Sequence, residues 1–352
     1  MVEIRRAEHN KKPGVCYAVT NDGLELPVVD VTHPAFELTL SEEKQQALVA
    51  HFLSEQRSFA RLPRLVRSAL LRFFMRGSRI ARGLRHAQGG FLDGMTTYLF
   101  KLGPKNLGSY AVPADHRILM SLPAISVRLR LSDMARLMAE GLAPRLAADP
   151  QSSLHFVNIA GGPAADSLNT LIVLQREQPA LLAGRRIALK VLDADIDGPA
   201  FGARALAALQ APAAPLAGLH ITFEHIRYDW RDTAVLVNAV AAAGREGAWV
   251  VASSEGGLFE YGSDQDIVSN LQALARGPQG RVFAAGSVTR NDELMATLKL
   301  TSTAATKPRG LATFSALAAS AGWTVARAIA RPLSDQVRLE PAGQAVLSTA
   351  SN

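Results

Sequence analysis

From Leu154 to Leu174 the chain reads LHFVNIAGGPAADSLNTLIVL: a short apolar run, two glycines, then apolar residues at helical spacing. No other stretch constrains the fold as strongly, because this order predicts a buried strand, a tight turn and a helix. His155, Phe156, Val157, Asn158 and Ile159 have the β-branched and apolar character of a strand inside a parallel sheet. Gly161 and Gly162 let the backbone turn sharply and approach a ligand with no Cβ in the way. Leu168, Leu171, Ile172 and Gln175 then follow at helical intervals. Such a helix aims its unsatisfied N–H groups and positive dipole end back at the turn, which makes the turn a place to hold a polar group.

After Leu154, short apolar runs keep alternating with helical segments, the pattern of a doubly wound α/β sheet. Strands are predicted at 154–159, 187–192, 219–225, 248–253, 281–286 and 322–330, with a strand-like QVRLE at 336–340. Ligands of such sheets bind outside the carboxyl ends of the strands, so the residues there belong together. The second strand runs into VLDADID, where Asp195, followed by Ile196, is placed to accept both hydroxyls of a ribose. The third ends in IRYDWRD, where Asp229 suits an adenine amino group and Trp230 the face of its ring. The fourth ends in SSEGG, with Ser254 and Glu255. For each acid the plain alternative is a cap on the next helix.

The region before the sheet has a different character. Residues 1–40 mix turn formers with short β-like pieces, and an extended arm is expected there. Ser41 followed by Glu42 and Glu43 marks a helix start. Arg57, Arg61, Arg64, Arg67, Arg72, Arg76, Arg79, Arg82 and Arg85 then recur with no acidic residue between Glu55 and Asp93. On a helical wheel Arg61–Arg85 oppose Leu62, Val66, Leu70, Phe73 and Ile80, which predicts a basic amphipathic helix broken at Gly77. A solvated face over a packed stripe is the plain explanation; an anionic substrate, nucleic acid or membrane surface is the functional one. A further helix is expected over Ser132–Leu146, capped near Ser132 or Asp133. Tyr98 and His116 are candidates to face a ligand, although such residues are more often core or surface.

The charge is uneven in the same way. Residues 1–150 hold 21 of the 38 Lys and Arg and 14 of the 31 Asp and Glu, leaving 17 of each sign for the remainder. All of the net +7 therefore precedes the predicted sheet. The single cysteine, Cys16, excludes an intramolecular disulfide framework, and the eight histidines show no ligand spacing, so no metal is expected. No apolar run reaches the roughly 18–20 residues that span a bilayer, and MVEIRRAEHNKKPG lacks an apolar signal core. A cytoplasmic location without a membrane span is the expectation.

Over about residues 130–340 these features resemble the class I S-adenosylmethionine-dependent methyltransferases. The family's first motif, an acid followed by GxGxG, falls on Asn158, Ile159, Ala160, Gly161, Gly162, Pro163 and Ala164. Its ribose carboxylate falls on Asp195 and its adenine-side acid on Asp229. GWTVARAIARPLSDQVRLE is similar to the family's closing antiparallel hairpin, and the segment Ser254–Tyr261 to the EGxxxY stretch of the leucine carboxyl methyltransferase-like branch. The resemblance implies an α/β fold: a doubly wound, Rossmann-like, mostly parallel seven-stranded sheet with a C-terminal antiparallel hairpin, preceded by a mainly helical N-terminal region. It divides the chain into an arm (1–40), a helical lid for substrate or dimerisation (41–146), a cofactor domain (147–340) and a flexible tail (341–352).

The implied cofactor is S-adenosylmethionine, leaving as S-adenosylhomocysteine. Its implied contacts are Asn158, Ala160, Gly161, Gly162, Asp195, Ile196, Asp229, Trp230 and Ser254. Tyr98, Glu255 and Tyr261 stand as substrate contacts, and Glu255 or His116 as a base, although methyl transfer obliges no particular catalytic residue. The expected reaction moves a methyl group to oxygen or nitrogen of a small, anionic acceptor, with a homodimer left open. Three departures stand out: Asn158 replaces the usual acid, Ala160 and Ala164 replace glycines, and Pro163 removes an N–H donor.

Other functions fit less well. A nicotinamide enzyme would use Ala160, Gly162 and Ala165 at GxGxxG spacing, but some 150 residues precede the first strand. A non-catalytic member of the fold, binding a partner or nucleic acid through the basic helix, is the alternative from a different class. After the fourth strand there is no Asn or Asp before Pro-Pro-aromatic to hold a flipped base, and the arginine stretch lacks the interleaved aromatics of a base-stacking platform.

Overall fold

A computed structural model describes residues 11–63, 65–66, 75–87, 90–300, 302 and 304–343 of the chain. Its centre is a seven-stranded sheet formed by β3 (Leu154–Ile159), β4 (Arg186–Asp193), β5 (His220–Arg227), β6 (Trp249–Ser254), β7 (Val282–Thr289), β8 (Trp323–Ala330) and β9 (Ser334–Pro341). A separate antiparallel pair, β1 (Tyr17–Val19) and β2 (Glu25–Pro27), precedes it. The large sheet runs in the order β5-β4-β3-β6-β7-β9-β8. Its first five strands pair in parallel, while β9 runs antiparallel to both β7 and β8. This is the mostly parallel sheet with a closing antiparallel hairpin that the sequence predicts, and the strands fall within three residues of their expected limits.

Burial explains why these segments are strands. All six residues of β3 and all eight of β7 are buried, as befits parallel strands covered on both faces. Alternate residues serve opposite layers: Leu154 and Phe156 join one hydrophobic cluster, Val157 and Ile159 the other. The helices, in chain order, are α1 (Glu42–Ala60), α2 (Arg79–His86), α3 (Gly94–Leu102), α4 (Pro113–Leu119), α5 (Leu122–Ala148), α6 (Ala165–Glu177), α7 (Asp197–Leu209), α8 (Ala234–Arg245), α9 (Leu258–Tyr261), α10 (Asp264–Ala275), α11 (Glu293–Lys299) and α12 (Gly310–Ser320). Residues of α3, α5, α6 and α7 fill the layer with Phe156, and residues of α8, α10 and α12 the layer with Val157.

The N-terminal stretch is part of this core. Val28, Val29, Val31 and Phe36 are buried in the same cluster as Phe156. Asn169 on α6, itself buried, fastens the strap: its Oδ1 accepts from Val31 N–H at 2.8 Å and its Nδ2 donates to the Val29 carbonyl at 3.0 Å. Two regions differ from the sequence reading. The helix expected at 132–146 starts at Leu122, because Pro123 sits in the first turn, where a missing N–H leaves no bond unmade. Asp133 is therefore not a cap but a buried mid-helix residue that accepts from the Arg331 guanidinium at 2.7 and 2.8 Å.

The arginine-rich stretch is the second. Ser41 caps α1 as expected, accepting from Lys44 N–H at 3.3 Å. Before the expected break at Gly77, the chain also turns near Pro63, which lacks a donor and disfavours helix before it. The break expected at Gly77 is present: its φ of +78° suits glycine, and α2 then starts from a Ser78 cap. Arg64, Arg67, Arg72, Leu70 and Phe73 lie outside the described residues, as do 1–10 and the tail beyond 343. No helix among the described residues is long and apolar enough to cross a membrane.

The strap is open to a direct test. Asn169→Ala leaves two buried backbone groups without partners, which is expected to cost about 2–4 kcal/mol. Urea unfolding should show a lower midpoint, with faster amide exchange at Val31 than in the parent.

Candidate functional site

The carboxyl ends of β3, β4, β5 and β6 surround a cleft of about 760 Å³, within the roughly 300–1,000 Å³ of small-molecule sites. It opens where the strand order reverses, with β4 on one side of β3 and β6 on the other. Ala160, Gly161 and Gly162 form its floor, and Asp193 to Asp195, Arg227 to Arg231 and Glu255 to Gly257 its strand-end walls. The approach to α3 and one face of that helix close the far side through Phe91, Asp93, Gly94, Thr97 and Lys101.

Three glycines from distant parts of the chain meet at the floor. A Cβ on Gly162 would lie 2.8 Å from Gly94 Cα, and one on Gly198 would lie 2.9 Å from Gly162 Cα. The amino ends of α3 and α7 thus press backbone to backbone on the turn. Gly162 has φ +55°, and Ala160 and Ala164 share that left-handed conformation at +53° and +54°. The alanines keep the turn's shape at a strain of about 1–3 kcal/mol per non-glycine residue. Gly161 is required for another reason: a Cβ there would meet Asn158 Oδ1 at 2.0 Å.

Asn158 is fully buried beneath the turn, not in the cleft wall. Its Nδ2 donates to Asp166 Oδ1 at 2.6 Å and to the hydroxyls of Ser253 and Ser167 at 3.0 and 3.3 Å. Burial, reinforced by the charge of Glu255, pushes the Asp166 carboxyl up. Ser254 is likewise buried away from the cleft, with a hydroxyl that has no partner among the described residues.

At the end of β4 the structure presents two acids. Asp195 lines the cleft, but its oxygens also accept from Asp197 N–H at 3.1 Å and Gly198 N–H at 3.2 Å, the capping role that the sequence left open. Asp193, which the sequence reading passed over, points inward: one oxygen accepts from Gly162 N–H at 2.8 Å, the other from Asp195 N–H at 2.9 Å. Burial raises its pKa. Its position as the last residue of the strand is the signal that marks it. Ile196 is 63% exposed and outside the cleft lining.

At the end of β5, Asp229 and Trp230 both line the cleft. Hydrogen bonds from Arg231, at 2.9 and 3.0 Å through Nε, hold the Asp229 carboxyl down at about 2. The Trp230 ring meets Phe91 edge-on at 5.2 Å, and Phe91 meets Tyr261 at 5.3 Å, so an aromatic corner forms at the mouth.

Glu255 lines the cleft with its carboxylate only 1% exposed, between Lys101 Nζ at 2.5 Å and Arg130 Nε at 3.0 Å. Arg130 continues to Glu260 at 3.3 Å. With its two oxygens occupied by cations from two helices, this residue anchors α3 and α5 to the end of β6. Neither partner was legible beforehand, since each lies more than 100 residues away. Tyr98 is not a cleft residue: it is one position, about 100°, around α3 from Thr97, its hydroxyl donates to the Pro27 carbonyl at 3.0 Å, and its ring packs on Phe201. His116 is exposed on α4 and also outside the cleft lining. No cluster of metal-ligating side chains occurs among the described residues.

No family model and no curated protein matches the chain. Among solved structures, it is similar to a possible exported protein from Bordetella parapertussis, at 18% identity and a TM-score of 0.58, over 87% of this chain and all of that one. The mitomycin 7-O-methyltransferase MmcR matches more loosely, at 17% identity and a TM-score of 0.39 over 65% of this chain and 58% of its own. So does CalO1, a methyltransferase of calicheamicin biosynthesis in its S-adenosylhomocysteine-bound form, at 14% identity and 0.37 over 80% and 74%. These likenesses concern the fold; none of them bears on the leucine carboxyl methyltransferase-like branch.

Two substitutions separate strain from anchoring. Ala160→Gly relieves a left-handed alanine and is expected to stabilise the protein by up to about 1 kcal/mol, raising the urea midpoint at unchanged slope. Glu255→Gln leaves two buried cations sharing a neutral amide, and a loss of about 3–5 kcal/mol is expected in the same measurement.

Proposed function

We propose that the chain is an S-adenosylmethionine-dependent methyltransferase acting on oxygen or nitrogen of a small molecule. The observation that carries this reading is the convergence, at one topological switch point, of the glycine turn after β3, paired acids after β4 and an acid with an aromatic ring after β5. Those groups fit the parts of the cofactor. Carboxylates suit ribose hydroxyls, an acid and an indole suit an adenine, and the turn of Ala160, Gly161 and Gly162 borders the space for the aminoacyl portion. Six carboxylates line the cleft, Asp93, Asp193, Asp195, Asp229, Glu255 and Asp266, a setting that favours a ligand carrying a sulfonium and an ammonium.

When bound, S-adenosylmethionine supplies an electrophilic methyl carbon on a positively charged sulfur. The chain's own contribution is alignment and exclusion of water. Asp195 and Asp193 would hold the ribose, Asp229 and Trp230 the base, and Gly161 and Gly162 the backbone of the methionine part. Lys101, Thr97 and Phe91 close the cleft from the N-terminal side, so the acceptor enters between α3 and the Tyr261 end.

Titration calorimetry of the full chain with S-adenosylmethionine and S-adenosylhomocysteine tests the reading. Binding near about 1–100 µM is expected, weakened at least about tenfold, or about 1.4 kcal/mol, in Asp195→Ala. Absence of binding by a well-folded sample removes the reading and favours a non-catalytic member of the fold acting through its basic N-terminal helices.

A further inference from the structure

Within the methyltransferase reading, on which this step rests, we infer that the acceptor is a flat aromatic ring carrying an oxyanion, seated at the Phe91–Tyr261–Lys307 corner of the cleft. Three observations meet there. The first concerns protons. No histidine or cysteine is among the residues lining the cleft, and each lining carboxylate is engaged. Asp93 caps α3, Asp195 caps α7 and Asp266 caps α10. Asp193 holds the glycine turn, Asp229 is paired with Arg231 and Glu255 with Lys101 and Arg130. Burial pushes the phenols of Tyr228 and Tyr261 up, which makes them still poorer bases at neutral pH. A neutral hydroxyl acceptor would therefore find no uncommitted base to take its proton, whereas an acceptor that arrives ionised needs no base.

The second observation is the shape of the corner. Phe91 keeps 58% of its surface exposed at the cleft mouth while its ring touches Trp230 and Tyr261 edge-on. An exposed phenylalanine held between two aromatic rings offers a planar ligand a face to cover. The third is an uncommitted charge. Lys101 is neutralised by Glu255, but Lys307 is exposed, lines the cleft and has no side-chain partner among the described residues. Backbone bonds hold it at the aromatic corner: Lys307 N–H donates to the Glu260 carbonyl at 2.9 Å, and Ala305 N–H to the Gly90 carbonyl at 3.2 Å. Asp193 and Asp195 stand at the end of β4, whereas the other cations of the lining besides Lys101 are Arg227 and Arg231 at the end of β5, Arg231 paired with Asp229.

The transfer balances without proton movement. The oxyanion forms a bond to the methyl carbon as the carbon–sulfur bond breaks, the electron pair passes to sulfur, and one negative and one positive charge cancel. The product is a neutral ester or ether that Lys307 no longer attracts.

Calorimetry on the complex with S-adenosylhomocysteine provides the test, using 2-naphthoate, cyclohexanecarboxylate, 2-naphthalenemethanol and 2-naphthol. 2-Naphthoate is expected to bind at least about tenfold more tightly than the non-aromatic acid or the neutral alcohol. Lys307→Met should weaken it about tenfold with S-adenosylhomocysteine affinity unchanged, Lys307→Arg should restore it, and Phe91→Ala should weaken it as well. 2-Naphthol binding that strengthens only as it ionises extends the assignment to phenolates; pH-independent 2-naphthol binding restricts it to carboxylates. Methylation of 2-naphthoate should be flat between about pH 6 and 9, because the acceptor is ionised throughout that range. Equal affinity for all four probes, or indifference to Lys307→Met, overturns the acceptor assignment and leaves the cofactor reading standing. Failure of S-adenosylhomocysteine itself to bind overturns both.

Discussion

The carboxylate of Glu255, buried between Lys101 and Arg130, is the interaction on which the arrangement of this protein turns. Moving three charges out of water is costly, and the mutual attraction offsets that cost only when the geometry is tight. The 2.5 and 3.0 Å contacts meet that condition. Because the three side chains come from the end of β6, from α3 and from α5, satisfying them positions the N-terminal helices over the strand ends. The cleft exists between those helices and the sheet, so its shape is set by an electrostatic constraint as much as by packing.

The second constraint is steric. Gly94, Gly162 and Gly198 allow two helix ends and the turn after β3 to approach within contact distance of one another's backbone. Around that point the chain tolerates strain, keeping Ala160 and Ala164 in a conformation natural to glycine. The departures from the glycine pattern therefore change local energy rather than the course of the backbone. The rigid polar layer below, with Asn158 bonded to Asp166, Ser167 and Ser253, holds that course in place.

The distribution of charge around the cleft follows from the same elements. Helix caps and strand ends place carboxylates near β4, where Asp193 and Asp195 engage backbone N–H groups and still border the space. Another corner combines Phe91 and Tyr261 with the uncommitted Lys307. In the methyltransferase reading proposed above, the cofactor would lie along the strand ends and the acceptor at that corner.

Much of the sheet was legible in the sequence, because strand and helix periodicities are local and β3 through β8 alternate with helices at ordinary spacing. The glycine turn, the acids at strand ends and the Ser41 cap were legible for the same reason: each depends on a few adjacent residues. The limits of α5 were not, since Pro123 serves as a helix start only where its neighbours are already packed. Nor were the orientation of Tyr98, the inward turn of Asp193 or the pairing of Glu255, which depend on contacts between residues 31 to 154 positions apart. Short-range chemistry thus determined the elements and the sheet edge that borders the cleft. The tertiary structure alone decided which charges are cancelled and which remain for a ligand, because charge pairing in a buried site depends on which distant side chains close upon it.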